Sequence, residues 1–121
     1  MSEDELLDEE ILAEFLSEAG EKLDELDPAF VELEQDPSNL DVVNRIFRAV
    51  HTVKGNSGFL GLHKLERVAH AGENVLVLLR DGALQVDTHI TDLLLQVVDA
   101  FRLIMRSIGN ECRSDARRSA A

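Results

Sequence analysis

The chain has 121 residues, 45% of them hydrophobic but only 4% aromatic, with no Trp or Tyr and a formal charge of −12. That length bounds one domain, and the acidity excludes nucleic acid and anionic membranes as partners, because both reward Lys and Arg. A single cysteine, Cys112, excludes an intrachain disulfide. No apolar stretch approaches the ~18 residues of a bilayer span, and the acidic start MSEDELLDEE lacks the basic region of a signal peptide, so a cytoplasmic protein is expected.

Leu, Ala, Glu and Val dominate, which favours helix. From Glu9 to Leu33 the residues Leu12, Leu16, Ala19, Leu23, Leu26, Phe30 and Leu33 recur in alternating steps of four and three, which predicts one long amphipathic helix. Ser17, Glu18, Glu21, Glu25 and Glu32 face water in that register. Pro28 interrupts the sequence but not the phase of the seam, so a kink near Pro28 is expected in place of a break.

Asp36-Pro37-Ser38-Asn39 is a turn. Ser38 followed by Asp41 suggests a capping box for a second helix, from about Asn39 to Phe59, with Gly61 as its C-terminal cap. Ile46, Phe47, Val50 and Val53 form the apolar stripe of that helix. A third helix, from about His63 to Arg80, buries Leu65, Val68, Ala69, Gly72, Val75, Leu76 and Leu79, and Gly72 within this seam admits a close neighbour. Asp81-Gly82 ends it. Asp87 or Thr88 caps a fourth helix, in which Ile90, Leu94, Val97, Phe101, Ile104 and Ile108 repeat at helical spacing. Four such helices on short connections give an all-α, antiparallel up-down-up-down four-helix bundle. The bundle is assigned to residues 1–110. Residues 111–121, ECRSDARRSAA, lose the apolar period and are expected to be a frayed tail or the start of a linker, as in a domain cut from a longer polypeptide.

The chemistry concentrates around His51. At about 100° per residue, the ring projects some 110–120° from the middle of the apolar stripe, on the flank of the second helix. Gly55 and Gly58 share that flank, and glycines inside a helix cost up to ~1 kcal/mol each against alanine. Their presence beside one imidazole implies that something large approaches it. On the third helix, His70 and Glu73 lie three residues apart on one face, and Glu73 projects about 100° from its own seam. Neighbouring antiparallel helices then bring the two flanks together. On pattern alone, His51 and Lys54 also fit ordinary solvated side chains, and His70 with Glu73 fits a surface pair. No residues have metal-ligand spacing, no nucleophile–base constellation is present, and GNSGFLG ends a helix and is not a nucleotide loop.

The run HTVKGNSGFLGL, together with LERVAHAGENVLVLLRDGAL, resembles the histidine phosphotransfer (HPt) domains, in particular those of CheA-type chemotaxis histidine kinases. The resemblance implies that His51 is the phosphorylation site. It implies that Glu73 hydrogen-bonds its Nδ1, and that Lys54 and His70 are auxiliary residues of the catalytic set. It further implies a docking face for receiver domains around Asn44, Phe47, Arg48, Gly55 and Gly58. No cofactor is expected in this domain. ATP would be used by a kinase domain of the same or a sister protein, and Mg²⁺ would be supplied by the kinase and receiver partners. The receivers would be CheY- or CheB-type response regulators, and the isolated domain would be monomeric. The chain itself carries no ATP-binding machinery, so it would be the substrate and carrier portion of a histidine protein kinase. A free-standing relay protein of a multistep phosphorelay and a helical interaction module without phosphotransfer are the alternatives.

Overall fold

The computed structural model describes the backbone of residues 3–120 and the side chains of residues 8–110. Four helices follow one another: α1 (Glu3–Gln35), α2 (Leu40–Phe59), α3 (His63–Arg80) and α4 (Thr88–Ala120). Each packs on its neighbours in chain order, and α1 closes the ring against α4. Among the described residues the backbones of the diagonal pairs do not approach each other, and α2 with α3 is the most extensive pairing. This is the expected antiparallel four-helix bundle. The proposed division at residue 110 falls where side chains lie outside the described residues, and the α4 backbone is helical as far as Ala120.

α1 runs unbroken through Pro28, as the unbroken phase of its seam requires. Proline removes a backbone donor, and near it the Leu23 carbonyl accepts a long hydrogen bond, 3.4 Å, from Arg102 of α4. Arg102 also pairs with Asp24 and Asp27, and Arg45 pairs with Glu32, so α1 is tied electrostatically to both its neighbours.

Local signals set the ends of α2 and α3. The N-cap of α2 is Asn39, whose Oδ1 accepts from the Asp41 amide at 3.1 Å. Ser38 is drawn instead to Asp36, donating its hydroxyl to Oδ1 at 2.9 Å, so the expected Ser38–Asp41 capping box does not form. At its other end, Gly61 adopts φ +74°, which only glycine accepts without strain. The Gly61 amide donates to the Gly58 carbonyl and the Leu62 amide to the Ser57 carbonyl. These two bonds form a Schellman turn. Gly82, at φ +80°, repeats that arrangement after α3. Asp87, not Thr88, caps α4, accepting from the Ile90 amide at 2.9 Å.

The core joins Leu23, Leu26, Phe30 and Leu33 of α1 to Ile46, Val50 and Val53 of α2, Leu65, Ala69 and Leu76 of α3, and Leu94 and Phe101 of α4. The seam of α4 is rotated from its expected position. Thr91, Leu94, Val98, Phe101 and Met105 are buried, while Ile90, Val97 and Ile104 are only partly so. Thr91 is admitted because its hydroxyl donates to the Asp87 carbonyl. On α1, Phe15 and Ala29 join the buried set, and Leu12 and Leu16 pack at its edge.

Gly72 holds α3 close to its neighbours: a Cβ there would lie 3.0 Å from Cγ1 of Val97 and 3.7 Å from Cγ1 of Val50. Gly55 is the opposite case, with nothing within 4 Å of such a carbon. Urea unfolding should therefore separate the two glycines. Gly72→Leu is expected to lose about 1–3 kcal/mol through overpacking, and Gly55→Ala to gain up to ~1 kcal/mol from helix propensity. A neutral Gly72→Leu would contradict the close α3–α4 approach.

Candidate functional site

The pairing of α2 with α3 decides the site. Ile46, Val50 and Val53 bury one stripe of α2, and Leu65, Ala69, Gly72 and Leu76 bury one stripe of α3. With both stripes committed to the core, the flanks that carry His51 and Glu73 meet at the rim. His51 Nδ1 lies 3.2 Å from Glu73 Oε2. Lys54, one turn after His51, brings Nζ to 3.3 Å from Oε1 and 3.2 Å from Oε2 of the same carboxylate. One carboxylate thus joins three side chains across two helices.

Exposure differs sharply within this trio. The His51 side chain is 61% exposed, that of Glu73 14%. Burial of the Glu73 carboxylate pushes its pKa up. The hydrogen bonds from His51 and Lys54, together with the Lys54 charge, outweigh that and hold it below its ordinary value. Glu73 is therefore ionised at neutral pH and can only accept. The nitrogen facing it must carry the proton: His51 Nδ1–H donates to Glu73, and Nε2 keeps its lone pair. In its neutral form an exposed imidazole held in this way is a nucleophile whose developing positive charge already has a counter-ion.

The ring has further neighbours that sequence spacing only partly signalled. Phe47, one turn earlier on α2, stacks on His51 with ring centroids 5.8 Å apart and planes inclined by 12°. The i, i+4 spacing allowed that contact. Arg80, at the end of α3, sets its guanidinium carbon 5.0 Å from the centroid of Phe47, a pairing 33 positions distant in sequence that no local pattern indicates.

The remaining expected residues are placed as follows. His70 is exposed on α3, and no hydrogen bond or ion pair joins it to the trio. Lys54 faces Glu73, so its charge first serves that carboxylate. Asn44 is half-buried, and Arg48 and Gly55 are exposed. Gly58 is half-buried and faces α3, where the Glu66 carboxylate occupies the space a side chain at position 58 would need. Ser57 is fully buried, its hydroxyl satisfied by the Val53 carbonyl.

Comparison with known proteins places this geometry. The family model described as "Hpt domain" matches residues 10–103. The chain is 41% identical over 100 residues to the sensor histidine kinase CheAY of Helicobacter pylori, covering 83% of this chain and 12% of that protein. It therefore spans only about an eighth of the length of such relatives. Among solved structures, the CheA phosphotransferase domain from Thermotoga maritima superposes with a TM-score of 0.77 at 30% identity, covering 83% of this chain and 96% of that one. The phosphorylated P1 domain of CheA3 in complex with CheY6 from R. sphaeroides gives 0.75 at 30% identity, covering 91% and 98%. An exposed histidine steered by a carboxylate on the next helix, in a bundle of this topology and with these relatives, establishes that the chain belongs to the Hpt domain family.

Proposed function

We propose that this domain carries phosphoryl groups in a two-component chemotaxis pathway: His51 receives one from ATP through a separate kinase domain and passes it to an aspartate on a receiver domain. The observation that carries this reading is the bond from His51 Nδ1 to Glu73 at 3.2 Å on a ring that is 61% exposed. The CheA relatives, and the complex of a similar domain with CheY6, support the assignment of the pathway.

In the first step the Nε2 lone pair attacks the γ-phosphorus of ATP. The P–N bond forms, the bond to the bridging oxygen breaks, and ADP leaves with that electron pair. No proton need leave the ring, since Nδ1 retains its own. The product is a phosphorylated imidazolium whose charge lies against the Glu73 carboxylate. In the second step an aspartate oxygen of the receiver attacks phosphorus, and neutral His51 departs as it was. Such transfer depends mainly on alignment and electrostatics, and a fixed ring at an open edge supplies both. ATP and Mg²⁺ belong to the partner domains in this scheme. The exposed Gly55 leaves clearance beside His51 for CheY- or CheB-type regulators, whose contact surface would include Asn44, Phe47 and Arg48. Gly58 would border the same contact surface, and His70 would be an auxiliary of the transfer from outside the trio. The setting proposed is the cytoplasm; among the described residues no helix is long and apolar enough to cross a membrane.

Two experiments test this. Incubation with labelled ATP and a CheA-type kinase domain should give acid-labile label on the wild type and none on His51→Gln, with unchanged helicity and melting. Label persisting on that variant would sink the assignment. In the same assay Glu73→Ala should slow labelling by about 10- to 100-fold, the worth of a hydrogen bond to a charged group. Lys54→Ala should slow it by about fivefold or less, as for a partly exposed ion pair.

The depressed pKa of Glu73 also fixes a pH dependence. A carboxyl whose pKa falls on folding stabilises the native state above its unfolded pKa, and that contribution disappears as pH falls through the folded one. The melting temperature of the wild type relative to Glu73→Gln should therefore hold its advantage at about pH 5.5 and lose it on the acid side of the ordinary glutamate range. An advantage that persists undiminished well below the ordinary glutamate range would contradict the ionised, bonded Glu73.

A further inference from the structure

A single hydrogen bond does not orient an imidazole. The bond from His51 Nδ1 to Glu73 holds one atom only, and the ring can still tilt out of line with the carboxylate, which weakens that bond and carries Nε2 away with it. The side chain is mostly exposed, so packing from above cannot stop that motion. A flat surface against the face of the ring can. Phe47 supplies one: the two rings are within 12° of parallel, with centroids 5.8 Å apart, inside the range of offset stacking.

Phe47 is itself half-buried and packs against the core. Arg80 lies over it at 5.0 Å, within cation–π distance. Arg80 reaches there from the last residue of α3, so Phe47 on α2 is clasped by the helix that also provides Glu73. The bond to Glu73 therefore crosses the α2–α3 interface, and so does the contact that holds Phe47 in place.

We propose that Phe47, held by Arg80, is a positioning residue for His51: its ring fixes the plane of the imidazole while Glu73 fixes the rotation within that plane, so that Nε2 meets the phosphoryl donor in one orientation. This deepens the phosphoryl-carrier reading and rests on it. It also gives Phe47 a role distinct from contact with a receiver.

The test uses a small donor that needs no docking surface. With phosphoramidate, the phosphoryl group moves to Nε2 and ammonia leaves with the electrons of the broken P–N bond. Phe47→Leu keeps an apolar side chain at this site but removes the flat face. It should slow chemical phosphorylation of His51 by about two- to tenfold, the worth of such an aromatic pair. Nitrogen NMR of isotope-labelled imidazole should show the neutral ring moving from the Nδ1–H tautomer toward a mixture. Phe47→Tyr should restore both readouts. Arg80→Gln, an exposed change that leaves the core intact, should shift both in the same direction by less.

Wild-type tautomer signals and wild-type phosphoramidate rates in Phe47→Leu and Arg80→Gln would overturn the proposal. A loss confined to transfer toward a receiver domain would do so too, by assigning Phe47 to docking. If the wild type itself takes no label from phosphoramidate or from a kinase, the carrier reading fails. The tautomer measurement, made on the unphosphorylated domain, still decides whether Phe47 orients the ring.

Discussion

The carboxylate of Glu73 is the joint on which the molecule's chemistry turns. It is mostly buried, it sits at the seam between two helices, and both its oxygens are engaged from α2. An ionised carboxylate in that position would be costly alone. The cost is offset because His51 and Lys54 reach it from one face of α2, a turn apart. The same arrangement determines what His51 can do. By accepting from Nδ1 it leaves the lone pair of the neutral ring on Nε2, and in the proposed transfer it would balance the positive ring formed on phosphorylation.

The bundle exists to hold that joint in register. The close approach permitted by Gly72 and the stripes of Val and Ile against Leu and Ala set the relative rotation of α2 and α3. A rotation of either helix by one residue, about 100°, would carry His51 or Glu73 out of reach. The Schellman turn at Gly61 stops α2 and lets α3 begin two residues later, which keeps the two flanks opposed. Charge is distributed to match. α1 carries 14 of the 24 Asp and Glu residues against a single Lys, whereas α2 and α3 carry more Lys and Arg than Asp and Glu. The histidine therefore presents itself from the less acidic side of a strongly acidic protein, the side on which phosphoryl groups and acidic acceptor pockets are least repelled.

Much of this was legible in the sequence because it rests on short-range rules. Helical periodicity located all four helices, and the Gly61 and Gly82 turns announced where two of them stop. The wheel positions of His51 and Glu73 implied flanks that could meet. What escaped was whatever depends on packing between distant segments. The seam of α4 was misjudged because Leu93, Leu94, Leu95, Val97 and Val98 form a nearly continuous apolar run, in which several stripes fit the spacing. Burial of Thr91 and Met105 settles the choice. Asn39 displaced Ser38 as a cap because two adjacent polar side chains competed for the role and Asp36 drew one away. Arg80 left no local mark at all, and Phe47 showed as apolar and as part of the expected docking face, not as a partner of the His51 ring.

In the proposed function phosphorylation falls on a single atom, Nε2 of His51, because Nδ1 is bound to Glu73. The direct measurement is phosphorus–nitrogen coupling in the NMR spectrum of the isotope-labelled, phosphorylated domain. Coupling to Nε2 of His51, with Nδ1 still protonated, is the predicted result. Coupling to Nδ1, or phosphate on any other residue, would contradict it.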